Sequence, residues 1–408
     1  MRVLWLCNVP LPEISDQMGI KLYPAGSWIE SLFHSLRSRD VEIVYIFPSD
    51  IYYQGKYQNL VYFSFKKNDI DSTITSYFKK IIRQIKPDVI HIFGSEFKHS
   101  LQMAEAAEGK KVLLSIQGVI SWIAPYYKNS LPNNVFYGMS FHDALRLSNP
   151  YLEFLDIKKR GHSEKQLFSM VNYISGRTSF DKAATEQMAP DAQYFHCGEI
   201  LRSPFYANKW TFENCQKKSI FVSNSSIPYK GFHDLISVLP RLIKKYPDIS
   251  VRTIGQDPST IAWYRRSTYN NYILHQINKF ELQDHIMFLG SLSGEEVSDE
   301  LMRANVFLLA SSVENSPNSL GEAMLTGTPC VCSDVGGVKD MITHEKEGFI
   351  YQQNASFMME HYISKVFDIG EGVCEMSDNA RQHALELFDR QRHADQMISI
   401  YISISESE

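Results

Sequence analysis

The 408-residue chain has few cysteines, six in total, and they follow no regular spacing. A disulfide-stapled fold needs dense, regularly spaced cysteines, so the sequence argues against one. Cys330 and Cys332 form a Cys-Val-Cys unit in an apparent buried strand, where two small hydrophobic residues are the simplest interpretation. The chain also starts without the pattern of a signal peptide, and we therefore predict a cytoplasmic location.

The chain lacks a long apolar run, because no window approaches the ~18 consecutive apolar residues of a membrane-spanning helix. It also lacks excess positive charge: 41 basic and 46 acidic residues give a net charge of −5, which argues against a general nucleic-acid partner. No Gly-x-Gly-x-x-Gly motif follows the first apolar stretch, Arg2–Asn8, so a nicotinamide-dependent dehydrogenase is a poor interpretation.

Short β-branched runs alternate with helical patterns along most of the chain, which is typical of parallel α/β units. The predicted strands are Arg2–Asn8, Val41–Phe47, Leu60–Phe65, Asp88–Gly94, Lys111–Gly118, Val171–Arg177, Ser219–Asn224, Ile249–Gly255, His285–Gly290, Val306–Ser311, Pro329–Asp334 and Gly348–Gln352. They form two series, so the sequence predicts two doubly wound, Rossmann-like domains that face each other across a ligand cleft.

The predicted domain bounds follow the breaks in this alternation. They are an N-terminal domain over 1–200, a linker over 201–217, a C-terminal domain over 218–376, and a C-terminal helix over 377–408 that packs back on the N-terminal domain. An irregular, aromatic-rich insertion spans about 120–166. Two interpretations of it stay open, a loop region that contacts an acceptor substrate and a helical subdomain that packs on its own aromatic residues.

A local run of basic and apolar residues, Ser76–Lys86, has helical spacing. Such a helix can lie on an anionic membrane surface, or it can pack its apolar face on a sheet and leave its charges in solvent. Both interpretations remain open at this stage.

The stretch Ser311–Val331 carries two glutamates, Glu314 and Glu322, on either side of a predicted helix start. Ser316 is the predicted N-cap, Pro317 suits the first helical position, and the helix stops at Gly327. The first free amides, those of Asn318, Ser319 and Leu320, together with the positive end of the helix dipole, suit a phosphate group. Carboxylates accept hydrogen bonds from hydroxyls, so this arrangement favours a diphosphate with hydroxyls on both sides, as in a nucleotide-sugar.

At this point the sequence resembles the retaining glycosyltransferases of family 4, which have the two-domain GT-B fold. The resemblance covers most of the chain and is strongest between Ile220 and Ile342. It depends on the Glu-x7-Glu pair, the following EAM and Gly-x-Pro features, and the glycine pair Gly336–Gly337. The resemblance implies that Glu314 contacts the donor sugar and that Glu322 holds the ribose hydroxyls.

The resemblance also implies a Lys-Gly pair and an upstream arginine that hold the donor's diphosphate. Lys230–Gly231 matches the pair, but the arginine position falls near Asn224 or Ser225, and neither is basic. Arg177 and Arg202 are candidate substitutes, and a structural ion pair is the alternative interpretation of each.

The remaining positions carried over from the family are less specific. Gly26 matches a glycine-rich loop on the donor phosphate, and Gly255 and Leu289 match positions that line the nucleotide base. Gln117 stands where the family tends to have a histidine. A glutamine can donate a hydrogen bond to a sugar hydroxyl, but it cannot transfer a proton. His91 and Glu96 follow another strand and are candidates for the acceptor side, with a satisfied strand histidine as the alternative for His91.

The sequence therefore predicts a retaining hexosyltransferase that needs no metal or other cofactor. Its donor would be a nucleoside-diphosphate sugar, and its acceptor would be a glycan that we predict to be lipid-linked. The enzyme would contact the inner face of the plasma membrane peripherally and act in surface-polysaccharide synthesis. Metal independence rests on the resemblance and on the lack of an Asp-x-Asp motif between a strand and a loop. Two alternatives stay open: a nucleotide-sugar epimerase on the same fold, and a non-catalytic sugar-nucleotide-binding protein.

Overall fold

Two separate sheets organise the protein, whose computed structural model describes residues 1–20 and 27–407. Unit 1 comprises Met1–Ser121, Lys158–Ile200 and Phe388–Glu408, and unit 2 comprises Trp122–Ile157 and Leu201–Leu387. Most of the predicted insertion over 120–166 and the whole predicted linker over 201–217 therefore belong to unit 2. The C-terminal region predicted over 377–408 is divided between the units, with its last 21 residues in unit 1.

Unit 1 contains, within its described residues, a sheet of eight strands in the order β3-β4-β2-β1-β5-β6-β7-β8. These are β1 Arg2–Leu6, β2 Glu42–Ser49, β3 Tyr53–Tyr57, β4 Leu60–Lys66, β5 Val89–Phe93, β6 Val112–Ser115, β7 Tyr173–Gly176 and β8 Gln193–His196. All neighbouring pairs are parallel except β3 and β4, which are antiparallel. The edge strands β3 and β8 were not predicted from the sequence, because their half-exposed, polar-rich residues lack the apolar run of a buried strand.

Helices cover this sheet and bury their apolar faces against it. They are α1 Pro12–Met18, α2 Ser27–Leu36, α3 Asp71–Ile85, α4 Lys98–Ala107, α9 Ser179–Met188 and α18 Arg390–Glu406, with α5 Ile120–Ile123 and α8 Pro150–Met170 at the borders of the two units. In α3, Ile74, Phe78, Ile81 and Ile82 are all buried. Of the two interpretations of the run Ser76–Lys86, the structure shows the helix packed on the protein, with no apolar face left for a membrane.

The last helix, α18, is tied to the sheet of unit 1 through a buried polar chain. Trp5 Nε1 donates to the Tyr401 hydroxyl at 3.0 Å, and that hydroxyl lies 2.6 Å from His91 Nδ1. His91 Nε2 lies 2.6 Å from Ser115 Oγ, which in turn lies 2.6 Å from Ser175 Oγ. Burial holds the pKa of His91 well below its usual value, so the ring is neutral and each of its nitrogens has a partner.

Replacing Tyr401 by Phe should lower the free energy of unfolding by about 1–3 kcal/mol, because it leaves Trp5 Nε1 and His91 Nδ1 buried without their partner. Chemical denaturation of the two proteins measures this difference. Tyr264→Phe is the matched control, since that ring is half exposed to solvent. Equal losses in the two variants would contradict a role for the buried chain.

Unit 2 has a sheet of six parallel strands, counted over its described residues, in the order β11-β10-β9-β12-β13-β14. The strands are β9 Ser219–Val222, β10 Ser250–Thr253, β11 Ile286–Phe288, β12 Val306–Leu309, β13 Cys330–Asp334 and β14 Phe349–Gln352. In chain order of this unit the arrangement is 3-2-1-4-5-6, that of the Rossmann fold. Cys330 and Cys332 are fully buried core residues of β13.

The helices of unit 2 lie on both faces of its sheet. They are α6 Asn133–Phe136, α7 Phe141–Arg146, α10 Ser203–Ala207, α11 Phe232–Lys245, α12 Thr268–Lys279, α13 Gly294–Arg303, α14 Asn318–Thr326, α15 Val338–Met341, α16 Ser356–Ile369 and α17 Val373–Leu387. Ser293 and Glu296 have the spacing of a capping box in the sequence, and this box is present at the start of α13. Leu131 and Val135, from the predicted insertion, and Trp210, from the predicted linker, belong to this unit's hydrophobic core.

Both sheets have a point where the strand order reverses, and ligands of such folds bind at the carboxyl ends of the strands there. In unit 2 this point lies between β9 and β12, whose following segments carry Lys230 and Glu314. In unit 1 it lies between β1 and β5, which are followed by Asn8 and Glu96. Among the described residues, no helix has the length and apolarity needed to cross a membrane.

Candidate functional site

The site in unit 2 is built around an ion pair between Lys230 and Glu314. Lys230 Nζ donates to Glu314 Oε1 at 2.6 Å, and Ser311 Oγ donates to the same oxygen at 2.6 Å. Burial alone would lower the pKa of Lys230, but the Glu314 carboxylate outweighs it and raises the pKa above the usual lysine value. The lysine therefore stays charged at neutral pH. Its side chain is 26% exposed against 9% for Glu314, so the cation is the more accessible partner.

Two glycines allow the backbone to approach this ion pair closely. Gly231, which follows Lys230, has a φ of +74°, and a Cβ there would overlap the carbonyl oxygen of Ala310. Gly336 has a φ of +50°, and a Cβ there would overlap the carbonyl oxygen of Glu314. Gly231 of the Lys-Gly feature and Gly336 of the Gly-Gly feature are therefore packing requirements of the backbone around Lys230 and Glu314.

Asn224, at the position where an arginine was expected, shapes the loop that leads to Lys230. Its Oδ1 accepts hydrogen bonds from the amides of Ser226 and Ile227 at 2.9 and 3.1 Å, an Asx turn. Ser225 donates from Oγ to the carbonyl of Ile254 at 3.0 Å. Neither position supplies a cation, so in this loop Lys230 is the basic residue nearest Glu314.

Helix α14 begins one residue later than predicted. Pro317 is its N-cap in an extended conformation, and Ser316 makes no capping bond because its Oγ is directed to Met341 Sδ at 3.8 Å. The amide of Leu320 already donates to the Pro317 carbonyl at 3.0 Å, and the Leu320 side chain is fully buried. Asn318 and Ser319 occupy the first positions of the helix, at the positive end of its dipole, and α14 ends as predicted at Gly327.

The second carboxylate, Glu322, has its own cation. Arg202 donates from Nε to Glu322 Oε1 at 2.7 Å, its Nη2 lies 2.7 Å from the same oxygen, and its guanidinium lies 4.8 Å from the centre of the Phe205 ring. Both side chains of the ion pair are largely buried, at 19% and 8% exposure. Arg202 is thus held in unit 2 by an ion pair with a predicted site residue, and a role for it in binding a diphosphate stays a prediction.

Replacing Arg202 by Ala should destabilise the protein by about 3–5 kcal/mol, because the Glu322 carboxylate would stay buried without its cation. The double variant Arg202→Met, Glu322→Met should recover most of this loss, since it removes both charges together. Denaturant unfolding of the three proteins measures both effects. A single variant as stable as the wild type would contradict the buried ion pair.

Gly255 and Leu289 follow β10 and β11, at the carboxyl edge of the same sheet. Gly255 has a φ of +144° and pairs with Gly290 through two backbone hydrogen bonds of 3.0 Å. A Cβ at Gly255 would overlap Ser225 Oγ, so the glycine lets the loop after β9 pass close to this edge. The amide of Leu289 donates to Thr253 at 2.9 Å. Their contact with a nucleotide base stays a prediction.

A polar cavity of about 240 Å³ adjoins the Glu314 region of unit 2 and was not predicted from the sequence. Its polar lining includes Asn129, Ser130, His233, Asp234, Ser311 and Tyr351. Asn129 Nδ2 donates to Asp234 at 2.8 Å, and Ser312 Oγ donates to the Tyr126 carbonyl at 2.8 Å. The predicted insertion therefore contributes residues beside Glu314, and only tertiary contacts could reveal that.

A second polar cluster lies at the strand-order reversal of unit 1. Asn8 Nδ2 donates to the Phe93 carbonyl at 3.1 Å, and its Oδ1 lies 2.7 Å from His99 Nε2. Glu96 Oε2 is buried and, among the described residues, has no hydrogen-bond partner. Glu164 is fully engaged by contrast, because Ser95 Oγ and the amides of residues 120 and 121 all donate to it. Glu96 was predicted from the sequence as a site residue, whereas Asn8 and His99 were not.

The pKa of Glu96 is raised to about 7, first by burial and then by the nearby Glu164 carboxylate. The folded protein therefore keeps this proton at pH values where the unfolded chain has lost it. Stability contributed by the protonated form is present at low pH and is lost as the pH rises from about 4.5 to about 7.

Glu96→Gln should remove this dependence, since an amide does not titrate. Relative to the wild type, the variant should gain up to about 3 kcal/mol of stability between about pH 4.5 and pH 8. Urea unfolding at several pH values measures the difference, with Glu105→Gln, an exposed carboxylate on α4, as control. Parallel stability curves for wild type and Glu96→Gln would contradict the raised pKa.

Other predicted residues of unit 1 have structural partners. His91 is fully buried in the middle of β5, and its two ring nitrogens contact Tyr401 and Ser115. It is therefore a buried strand histidine with both nitrogens hydrogen-bonded, which was the alternative to a place on the acceptor side. Arg177 forms a buried ion pair with Glu199 and donates from Nη2 to the Gln117 carbonyl at 3.3 Å. Of the two interpretations of Arg177, the structure therefore shows the structural ion pair. Gln117 lies two residues beyond β6. Gly26 lies outside the described residues.

The two doubly wound sheets confirm the predicted α/β class with two Rossmann-like domains, and this fold is shared with solved glycosyltransferases of the GT-B fold. Solved structures agree over nearly the whole chain. Sucrose-phosphate synthase from Thermosynechococcus elongatus superposes with a TM-score of 0.72 at 12% identity, covering 99% of both chains. HepE from Anabaena, solved with UDP-glucose, superposes with a TM-score of 0.67 at 14% identity, covering 99% of this chain and 100% of HepE.

Residues 206–383, all of which lie in unit 2, match the family model described as Glycosyl transferases group 1. The chain is 25% identical over 301 residues to the putative glycosyltransferase YtcC of Bacillus subtilis, covering 68% of this chain and 69% of YtcC. It is 26% identical over 335 residues to spore coat protein SA of the same organism, covering 76% and 83%.

Proposed function

We propose that this protein is a glycosyltransferase that moves a hexose from a nucleoside-diphosphate sugar to a glycan. The observation that carries the proposal is the Lys230–Glu314 pair at the strand-order reversal of a group 1 glycosyl transferase domain. HepE, which shares the fold, was solved with UDP-glucose, and this supports a nucleoside-diphosphate hexose as donor.

In the proposed reaction Lys230 stabilises the leaving diphosphate. Breaking the glycosidic bond leaves extra negative charge on the phosphate, and a half-buried lysine that stays protonated is suited to balance it. The amides at the start of α14, at Asn318 and Ser319, add the positive end of a helix dipole. Glu314 would exchange its bond to Lys230 for bonds from the sugar hydroxyls and so orient the hexose.

Glu322 would accept hydrogen bonds from the ribose, while Arg202 holds its carboxylate in place. This assigns the two glutamates to opposite ends of the donor, as the family resemblance implies. Gly255 and Leu289 would lie against the base.

The acceptor would use the polar cluster of unit 1. Glu96 has an oxygen that is buried and lacks a partner within the described residues, which suits a hydrogen bond from an acceptor hydroxyl. The family resemblance implies a retaining, front-face mechanism of family 4, in which the departing phosphate takes the acceptor's proton. The absence of a histidine at Gln117 is compatible with that route, because no side-chain base is needed.

The remaining parts of the proposal rest on the sequence. We propose that the reaction needs no metal, because Lys230 and a helix start can neutralise the diphosphate. We further propose a lipid-linked acceptor, a role in surface-polysaccharide synthesis and action at the inner face of the plasma membrane. The epimerase and the non-catalytic binder are less favoured, since the chain's relatives include a putative glycosyltransferase.

Lys230→Ala should lower kcat by about 100- to 1000-fold, because it removes one charge-assisted contact to the leaving group. Release of the nucleoside diphosphate from UDP-glucose, measured with and without an oligosaccharide acceptor, gives the rate. The matched control is Lys245→Ala, since Lys245 also donates to a carboxylate, Asp368, at 2.6 Å but lies on the solvent-exposed end of α11. Full activity of Lys230→Ala would overturn the assignment.

Calorimetry with the same donor separates this proposal from a binding protein. Tight donor binding by the wild type without any turnover, in the presence of a panel of acceptors, would favour the non-catalytic alternative.

A further inference from the structure

The polar cavity beside Glu314 lies entirely within unit 2, and the proposed transfer reaction gives it no role. It lies at the carboxyl edge of the sheet, between the start of α11 and the turn from β14 into α16. Its volume of about 240 Å³ corresponds to about eight waters at their liquid volume. A space of this size suits one pyranose ring with its hydroxyls.

Several polar side chains of the cavity are not used by the fold. Gln353, Asn354 and Ser356 line it from the turn between β14 and α16, and Tyr272 lines it from α12. Within the described residues, these four side chains make no hydrogen bond to the protein. Amides and hydroxyls both donate and accept hydrogen bonds, as the hydroxyls of a sugar do. The cavity therefore has polar groups that are available to a ligand.

The cavity also contains a carboxylate, that of Asp234, at the start of α11. Asn129 Nδ2 donates to its Oδ2 at 2.8 Å, and Ser130 Oγ donates to its Oδ1. A carboxylate accepts about four hydrogen bonds, so each of these oxygens can still accept one from a ligand. The predicted insertion therefore fixes the orientation of the Asp234 carboxylate without occupying it fully.

The charge of the lining favours a neutral ligand. No lysine or arginine of the described chain lines the cavity, and Lys230, which lies beyond Ser311, is paired with Glu314. Burial lowers the pKa of His233 more than the Asp234 carboxylate raises it, so this ring is neutral. Because a carboxylate without a cation repels anions, the cavity disfavours phosphates and accepts hydroxyls.

We infer that the polar cavity binds one neutral sugar unit of a glycan. Carboxylate and amide groups suit the hydroxyls of such a unit, and Tyr272 and Tyr351 add aromatic rings to the lining. Ser311 lines the cavity and donates to Glu314, so the bound sugar would lie one side chain away from the proposed donor-sugar residue. The inference rests on the proposed function for the identity of the carbohydrate as a glycan, but sugar binding itself needs no transfer.

Ligand-observed NMR and calorimetric titration of the full-length protein, without donor, test this inference. The ligands are glucose, galactose, mannose, N-acetylglucosamine and oligosaccharides of each. At least one neutral monosaccharide should bind, and its oligosaccharide should bind more tightly. No binding of any of these sugars would overturn the inference, even if sugar transfer were demonstrated. Equal affinities of oligosaccharide and monosaccharide would assign the cavity to a free sugar instead of a glycan.

Two variants locate the bound sugar. Asp234→Asn keeps the shape of the side chain but removes its charge, and it should weaken sugar binding by about 10-fold. Gln353→Ala with Ser356→Ala removes two available polar groups and should also weaken binding by about 10-fold. The controls are Asp299→Asn, on α13, and Gln352→Ala, whose exposed side chains do not line the cavity. Both controls should bind as the wild type does, and binding that neither cavity variant weakens would overturn the inference.

Three further ligands test other occupants of the cavity. UDP-glucose should leave binding of the neutral sugar unchanged, and displacement by UDP-glucose would place that sugar in the donor site and overturn a separate site. A hexose 6-phosphate should bind more weakly than the hexose itself, and tighter binding would assign the cavity to an anion. Binding of glucosamine without binding of any neutral sugar would assign the Asp234 carboxylate to an amine.

Discussion

The arrangement of unit 2 depends on one ion pair, Lys230 with Glu314. The two residues follow β9 and β12, the strands between which the order of the sheet reverses. Such a pair is costly to desolvate, and removing one partner leaves an uncompensated charge. Its position is maintained by Gly231 and Gly336, each of which lets one backbone segment pass where any side chain would collide. Gly231 and Gly336 are thus required by the backbone arrangement that places these two charges together.

In unit 1, too, polar residues follow the two strands between which the strand order of the sheet reverses, but the charges of these residues differ from those in unit 2. There Glu96 follows β5, and its buried Oε2 has no hydrogen-bond partner among the described residues; burial first and then a second carboxylate, Glu164, raise its pKa to about 7. Unit 2 presents cations paired with carboxylates, which suits a phosphate-bearing donor. Unit 1 presents a carboxyl group that is partly protonated near neutral pH, which suits a neutral, hydroxyl-bearing molecule.

The sequence could predict what depends on local pattern. Every strand predicted in the two series is present, because continuous apolar runs between turns are a strong local signal for buried parallel strands. The Glu-x7-Glu helix was also predicted to within one residue at its start. The edge strand Tyr53–Tyr57 was missed because half of its surface faces solvent and its residues are polar. The membership of residues 122–157 in unit 2 could not be predicted, because it depends on long-range contacts such as that of Asn129 with Asp234.

The expected diphosphate-binding arginine is missing from the loop after β9, and the pairing of charges suggests how the site functions without it. Each glutamate of the motif has one cation, Lys230 on Glu314 and Arg202 on Glu322. These four charges sum to zero, so they offer an incoming diphosphate no net attraction as they stand. In the proposed function the sugar hydroxyls of a donor would replace Lys230 as the partner of Glu314. The lysine would then be able to contact the phosphate, although the total charge of the four groups stays the same. Binding of the sugar and activation of the leaving group would therefore be a single exchange of partners at Glu314, which favours donors that carry both a hexose and a diphosphate.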